Sequence, residues 1–135
     1  QHIHLMNSAD QVMQSYGRCC RSNEFFDTFY RIFLASSPEV RAKFANTNMQ
    51  AQKLLLRQGI MNVVLYARGM PDTKLRALGC SHSRKGMNIR PELYKLWTES
   101  LLKTVRHHDK EASTDTLQAW AEVIQKGVGV ILEEY

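Results

Sequence analysis

Between Asn48 and Arg68 the apolar residues recur at intervals of three and four, the spacing that gathers side chains on one face of an α-helix. That face carries, in order, Met49, Gln52, Leu56, Ile60, Val63 and Ala67. An amphipathic helix of this length is stable mainly through the packing of its apolar face. The stretch therefore predicts a fold in which helices pack on helices.

The same helical spacing runs through the rest of the chain, and only Pro38, Pro71 and Pro91 interrupt it sharply. The predicted helices are Ala9–Cys20, Asn23–Ala35, a short one from Ser37 to Phe44, Asn48–Arg68, one from after Asp72 to about Arg84, Pro91–His108, and a last one that Ser113 caps. Ser22 or Asn23 is expected to cap the second helix. Neither repeats nor alternating strand patterns occur, so we expect a single all-α domain over residues 1–135.

Composition narrows the class of protein. The chain has 135 residues and no apolar run near the roughly 20 residues that a membrane-spanning helix needs. Its start, QHIHLMNSAD, lacks the basic and apolar regions of a secretory signal, and two of its three cysteines are adjacent. We therefore expect a cytoplasmic protein with free thiols and no membrane partner.

The net charge of +5 raises the question of a polyanionic partner. Lysines and arginines are spread singly, however, and the longest cationic cluster is Arg84-Lys85. A DNA-binding domain concentrates basic residues on a recognition helix, and the sequence has no such face, so no nucleic-acid partner is expected. A cofactor-free helical interaction or DNA-binding domain is the alternative to a cofactor-binding protein.

Three polar side chains interrupt otherwise apolar helix faces: Tyr30, Gln52 and His82. Burying them is unfavourable unless each finds a hydrogen bond or a ligand. A buried, hydrogen-bonded ring is the plainer interpretation of His82, because the chain has no HxxxH, HExxH or CxxC spacing for a metal held by side chains alone. A single histidine can, however, be the axial ligand of an iron that a porphyrin already holds. Tyr30 and Gln52 are then candidates for an uncharged polar group on the opposite side of that iron.

Four segments, in this order and at this separation, resemble the bacterial single-domain globins over nearly the whole chain. FYRIFLASSPEVRAKF resembles the stretch that carries a distal tyrosine, a turn proline and a haem-stacking phenylalanine. FANTNMQAQK is similar to the start of the distal helix of truncated haemoglobins. LRALGCSHSRKG resembles the segment that presents the iron-binding histidine, and IRPELY resembles the opening of the next helix in flavohaemoglobins. The resemblance implies a globin fold with haem b as the cofactor.

Carried over residue by residue, the resemblance implies that His82 is the proximal iron ligand, Tyr30 the distal tyrosine and Phe44 the phenylalanine stacked on haem. The second ring nitrogen of His82 is expected to donate to a backbone carbonyl one turn back, near Leu78, which would fix the ring plane.

The distal glutamine is either Gln50 or Gln52, because both lie near the position that the resemblance gives. A register through Gln50 continues to Leu54, Gln58 and Asn62, whereas one through Gln52 continues to Leu56, Ile60 and Val63. The second register is entirely apolar after the amide, so we choose Gln52, with Leu55 and Leu56 as apolar walls of the pocket.

The chain departs from the flavohaemoglobin pattern on the proximal side. Tyr94 matches a tyrosine that flavohaemoglobins place behind the histidine, but the segment between His82 and Tyr94 is longer than theirs. Their partner glutamate falls at Tyr135, with Glu133 and Glu134 one or two residues away. The sequence therefore does not predict strong electron donation of the peroxidase kind.

The resemblance implies reversible binding of O2, and of CO and NO, at a five-coordinate iron. Tyr30 and Gln52 would donate hydrogen bonds to bound O2 and slow its release. The role stays open among O2 storage or carriage, NO dioxygenation and gas sensing. Because the sequence contains no flavin or nicotinamide domain, turnover is expected to need an external reductase. A monomer or a homodimer is expected.

Overall fold

Seven helices account for most of residues 6–135, the part of the chain that the computed structural model describes. In chain order they are α1 (Ser8–Cys19), α2 (Phe25–Ser36), α3 (Pro38–Lys43), α4 (Met49–Ala67), α5 (Thr73–His82), α6 (Pro91–His108) and α7 (Thr114–Glu133). Within these residues no strand occurs, and no helix is long and apolar enough to cross a membrane. The predicted all-α fold is confirmed, and the helix ends lie within two residues of the predicted ones.

Short polar side chains set where most helices begin. Asn48 accepts hydrogen bonds from two backbone amides in the first turn of α4, and Ser113 closes a capping box at the start of α7, as predicted. The prediction for α2 was wrong, because neither Ser22 nor Asn23 caps it. α2 begins after Glu24 without a side-chain cap, and Ser22 instead accepts the Glu24 amide at 3.1 Å in the preceding turn.

α7 is the helix on which most of the others pack, since α1, α4, α5 and α6 all contact it. Its predicted apolar row is buried or half-buried along its whole length, and consists of Leu117, Trp120, Ile124, Val128, Ile131 and Tyr135. α2 packs on α6 and places Phe25 and Phe29 fully inside the core. Each side chain of this size contributes about 1.5–3 kcal/mol when it leaves water.

One carboxylate is buried where α1 meets the end of α6. Asp109 accepts hydrogen bonds from Arg18 Nε (2.7 Å), Arg18 Nη2 (2.9 Å) and Ser15 Oγ (2.6 Å). Trp120 Nε1 on α7 donates to the same Ser15 hydroxyl at 2.9 Å. Burial acts to raise the pKa of Asp109, but these hydrogen bonds outweigh it and hold the pKa below its usual value. The network therefore joins α1, α6 and α7 through groups that are satisfied only when all three are in place.

Candidate functional site

His82 is the last residue of α5, and its side chain is half-buried. Its Nδ1 lies 3.0 Å from the hydroxyl of Tyr94, in the first turn of α6. Among residues 6–135 no group hydrogen-bonds to Nε2. Burial lowers the pKa of His82, so the ring is neutral near pH 7. One ring nitrogen is therefore engaged and the other is free to bind a ligand.

The expected hydrogen bond from His82 to the carbonyl of Leu78 is not what the structure shows. The Leu78 carbonyl accepts from Ser81 Oγ at 3.0 Å, and the His82 ring turns to Tyr94 instead. Ser81 is three residues after Leu78, the spacing at which a serine hydroxyl reaches a carbonyl of the preceding turn. Leu78 itself is half-buried and packs on the core.

Among residues 6–135, no carboxylate hydrogen-bonds to the Tyr94 hydroxyl. Burial, and to a smaller extent the neighbouring Tyr135, raises the pKa of Tyr94 to about 12. Glu133 and Glu134 both pair with Arg76 on α5, at 3.0 Å and 2.9 Å. Neither glutamate hydrogen-bonds to Tyr94, so the carboxylate partner of the flavohaemoglobin pattern is missing from its place.

Residues 83–90, which we call the corner, are tightly bonded to the end of α5. The amides of Met87, Asn88 and Ile89 donate at 2.9 Å to the carbonyls of Ser81, Ser83 and His82, respectively. Asn88 has φ of 51°, a left-handed conformation that asparagine tolerates better than most residues. A Cβ at Gly86 would collide with the Ser81 carbonyl, so only glycine fits there. These contacts hold the corner against the end of α5, where His82 lies.

Tyr30 lies on α2 and reaches α4. Its side chain is buried, and its hydroxyl donates to the backbone carbonyl of Gln52 over a long 3.4 Å. Burial raises the pKa of Tyr30 to about 12, so the hydroxyl keeps its proton at neutral pH. The Tyr30 ring also makes edge contacts with Phe29 and Phe44, at centroid distances of 4.9 Å and 5.8 Å. Tyr30, Phe44 and Gln52 are therefore brought together.

On α4 the two candidate glutamines differ in burial. Gln52 is half-buried on the same face as buried Leu56, whereas Gln50 is exposed. The Gln52 side chain lies close enough to the Tyr30 hydroxyl to lower the pKa of Tyr30, against the larger effect of burial. Leu55 is 56% exposed, in contrast to Leu56 at 5%. Of the two leucines expected to form walls, only Leu56 is covered by the protein itself.

α4, which carries Gln52, and α5, which carries His82, are held together mainly through α7. Both helices pack extensively on α7, yet they contact each other at few points. Within residues 6–135 no three His, Cys, Asp or Glu side chains gather in a way that would hold a bare metal ion. The neutral His82 ring is a suitable ligand for an iron whose other ligands come from a porphyrin.

Comparisons with known proteins show the family to which the chain belongs. Residues 27–131, well over half of the chain, match the family model described as Globin. The crystal structure of a Pseudomonas aeruginosa PAO1 protein, described as structurally highly homologous to a human hemoglobin, matches with a TM-score of 0.94 at 62% sequence identity. That match covers 96% of this chain and 98% of the other. A comparison with curated proteins gives no match.

Proposed function

The chain belongs to the globin family, with the globin fold and a haem cofactor, and we propose that His82 binds the iron of haem b while Tyr30 and Gln52 hold a diatomic gas on the other face. In this proposal residues 1–135 act as one domain. When bound, haem supplies a ferrous iron with a free position for O2, CO or NO. The side chains of this chain would bind the haem, orient it and donate hydrogen bonds to the gas.

The contacts of the His82 ring are the observation that supports His82 as the iron ligand. With Nε2 given to the iron, the ring proton resides on Nδ1 and is donated to the Tyr94 hydroxyl 3.0 Å away. This hydrogen bond fixes the tautomer and the ring plane. The lowered pKa of His82 supports the same role, because a metal binds the neutral ring. Phe44, Leu55, Leu56 and Leu78 would add apolar contacts to the porphyrin.

Tyr30 and Gln52 supply uncharged donors for the gas. The 3.4 Å bond from the Tyr30 hydroxyl to the Gln52 carbonyl is long, so little is lost when the hydroxyl turns to a better acceptor. Donors at this position would stabilise O2 more than CO, because haem would leave more negative charge on O2 than on CO. Each neutral hydrogen bond contributes about 1 kcal/mol net, and two together slow O2 release by about ten- to a hundredfold.

Reversible, tight binding of O2 is the function that this site supports best. The acceptor of the His82 proton is the neutral phenol of Tyr94, while Glu133 and Glu134 are engaged by Arg76. Electron donation from His82 to a bound iron would therefore be moderate, which would favour gas binding over peroxide chemistry. Tight binding suits NO dioxygenation with an external reductase, or gas sensing, better than bulk carriage of O2.

The proposed place of action is the cytoplasm, and the gas ligands are the proposed partners. The three cysteines, Cys19, Cys20 and Cys80, are free thiols, as is usual in a reducing compartment.

An absorption spectrum tests the haem assignment. The purified protein should show an intense Soret band after haem is added, and His82→Ala should lose that band or bind haem far more weakly. His107→Ala is the matched control, because His107 is exposed at the end of α6. A folded wild-type protein that stays colourless after haem addition would refute the proposal, and so would a His82→Ala variant with an unchanged spectrum.

A further inference from the structure

Two charged side chains on α3 reach across to the corner that follows His82. Glu39 and Lys43 lie four residues apart and share one face of α3. Arg90 donates two hydrogen bonds to the Glu39 carboxylate, from Nε at 2.8 Å and from Nη2 at 2.7 Å. Lys43 Nζ donates to the backbone carbonyls of Met87 and Asn88, at 3.0 Å and 3.2 Å. We call these contacts the α3 clasp.

At one end the clasp holds a segment that is continuous with His82. Lys43 binds the carbonyls of Met87 and Asn88. The amide of Met87 donates to Ser81 in the last turn of α5, and the amide of Asn88 donates to Ser83, the first residue after α5. Asn88 is fixed a second time, because Tyr135 Oη donates to its side-chain oxygen at 2.7 Å. These hydrogen bonds therefore connect the segment that Lys43 holds to the helix that ends at His82.

At its other end the clasp is continuous with the distal wall. Val40 anchors α3 in the core with only 1% of its surface exposed. Phe44 follows Lys43 directly, and its ring contacts Tyr30 and Phe33 at centroid distances of 5.8 Å and 6.0 Å. The α3 clasp thus ties the segment with Phe44 to the segment with His82.

Glu39 and Lys43 make their hydrogen bonds with the corner and not with each other. They have the spacing of an ion pair within one helix, yet Lys43 donates to the corner carbonyls and Glu39 accepts from Arg90, the last residue of the corner. The hydrogen bonds from Arg90 hold the pKa of Glu39 below its usual range. A planar guanidinium on a carboxylate also fixes orientation, which a single-point contact does not.

We propose that Glu39, Lys43 and Arg90 are positioning residues that retain haem, because the α3 clasp holds the two walls of the haem slot together at its edge. The inference rests on the proposed function, since it assumes haem between the wall with Phe44 and the helix with His82. It assigns these three residues no contact with the gas. Opening the clasp is therefore expected to speed the loss of haem while the spectrum of the bound haem stays the same.

Transfer of haem from the ferric protein to an excess of apomyoglobin measures this directly. Lys43→Met and Arg90→Gln should each lose haem about threefold faster than wild type, and the double variant about tenfold faster. Arg90→Lys keeps the charge but loses the two-point geometry, and should fall between wild type and Arg90→Gln. Added NaCl should speed haem loss from wild type more than from Arg90→Gln, because salt screens the exposed ion pair.

Two control variants separate the clasp from general destabilisation. Arg68→Gln breaks an exposed ion pair with Asp10 (3.1 Å), which joins the end of α4 to α1. Lys103→Met removes one exposed positive charge from α6. Both should lose haem at the wild-type rate, and urea unfolding of every variant should show similar stability.

The outcomes distinguish the clasp from the function beneath it. If the double variant loses haem at the wild-type rate, the clasp is overturned, while the proposal that His82 binds haem still stands. Equal acceleration in Arg68→Gln or Lys103→Met also overturns it, because the effect would then be general. A wild-type protein that takes up no haem overturns the proposed function and the clasp together.

Discussion

The two sides of the candidate haem slot are built differently. On the proximal side, Arg76 joins α5 to Asp72, Glu133 and Glu134, and the corner after His82 is hydrogen-bonded at nearly every residue. On the distal side, the hydrogen bond that the Tyr30 hydroxyl donates to the Gln52 carbonyl is 3.4 Å long, and the half-buried Gln52 side chain lies close to that hydroxyl.

This difference follows from what each side has to do. The proposed function requires an iron ligand that stays in one place, and the contacts of Arg76 and of the corner fix the end of α5 that carries His82. A gas-binding face must accept a ligand and release it, which requires donors that are not already committed. The exposure of Leu54 and Leu55 on α4, at 60% and 56%, fits the same looser packing. Three predictions test the comparison, in order of decreasing effect.

Substituting one glycine on each side should give effects of opposite sign. A Cβ at Gly79 on α5 would lie 2.7 Å from the Ile131 carbonyl oxygen, whereas nothing lies within 4 Å of a Cβ at Gly59 on α4. Gly79→Ala is expected to lower the free energy of unfolding by about 1–3 kcal/mol. Gly59→Ala should raise it by about 0.5–1 kcal/mol, because alanine is the better helix former. Urea unfolding of the two variants measures both changes, and equal losses would show that the two sides are packed alike.

Removing one hydroxyl from each side should change different properties. Tyr30→Phe loses a donor worth about 1 kcal/mol, so O2 should dissociate about fivefold faster. Tyr94→Phe removes the acceptor of the His82 proton, so it should shift the iron–histidine stretching frequency while O2 release changes little. Stopped-flow O2 release and resonance Raman spectra of both variants test this. An unchanged O2 off-rate in Tyr30→Phe would contradict the distal assignment.

The smallest effect concerns the contact that joins the two sides. The pKa of Glu39 is lowered by Arg90, so the ion pair is complete above the usual carboxyl pKa and is lost as pH falls through the lowered value. A 13C NMR titration of the Glu39 carboxyl should therefore have its midpoint below the ordinary range. In Arg90→Gln the midpoint should move back toward it. Identical midpoints in the two proteins would mean that the pair does not persist in solution.

The helices and the core faces could be predicted because they depend on local periodicity. Leu56, Ile60 and Val63 were expected on one face of α4, and all three are buried. The same periodicity separates Gln52 from exposed Gln50. The polar residues at the rim could not be predicted in this way, because their partners are distant in the chain.

The hydrogen bond between His82 and Tyr94 shows why other contacts of the candidate site could not be predicted from the sequence. It depends on the path of the corner, which sets where α6 begins relative to the end of α5, and no local pattern encodes that path. The α3 clasp was missed for the same reason, since Lys43 and Glu39 bind groups 44 and 51 residues further on. Glutamate and lysine four residues apart are typical of an ordinary solvent-facing pair.

The positions of the two tryptophans allow their fluorescence to report whether haem is bound. Trp120 is fixed inside the core by the hydrogen bond from its indole to Ser15, and Trp97 lies against the Phe29 ring at 5.9 Å. A chain of 135 residues has a radius of gyration of about 14 Å, so both indoles lie within energy-transfer range of any haem bound in the fold. Their emission should be quenched while haem is bound and should recover as haem leaves, without any added label.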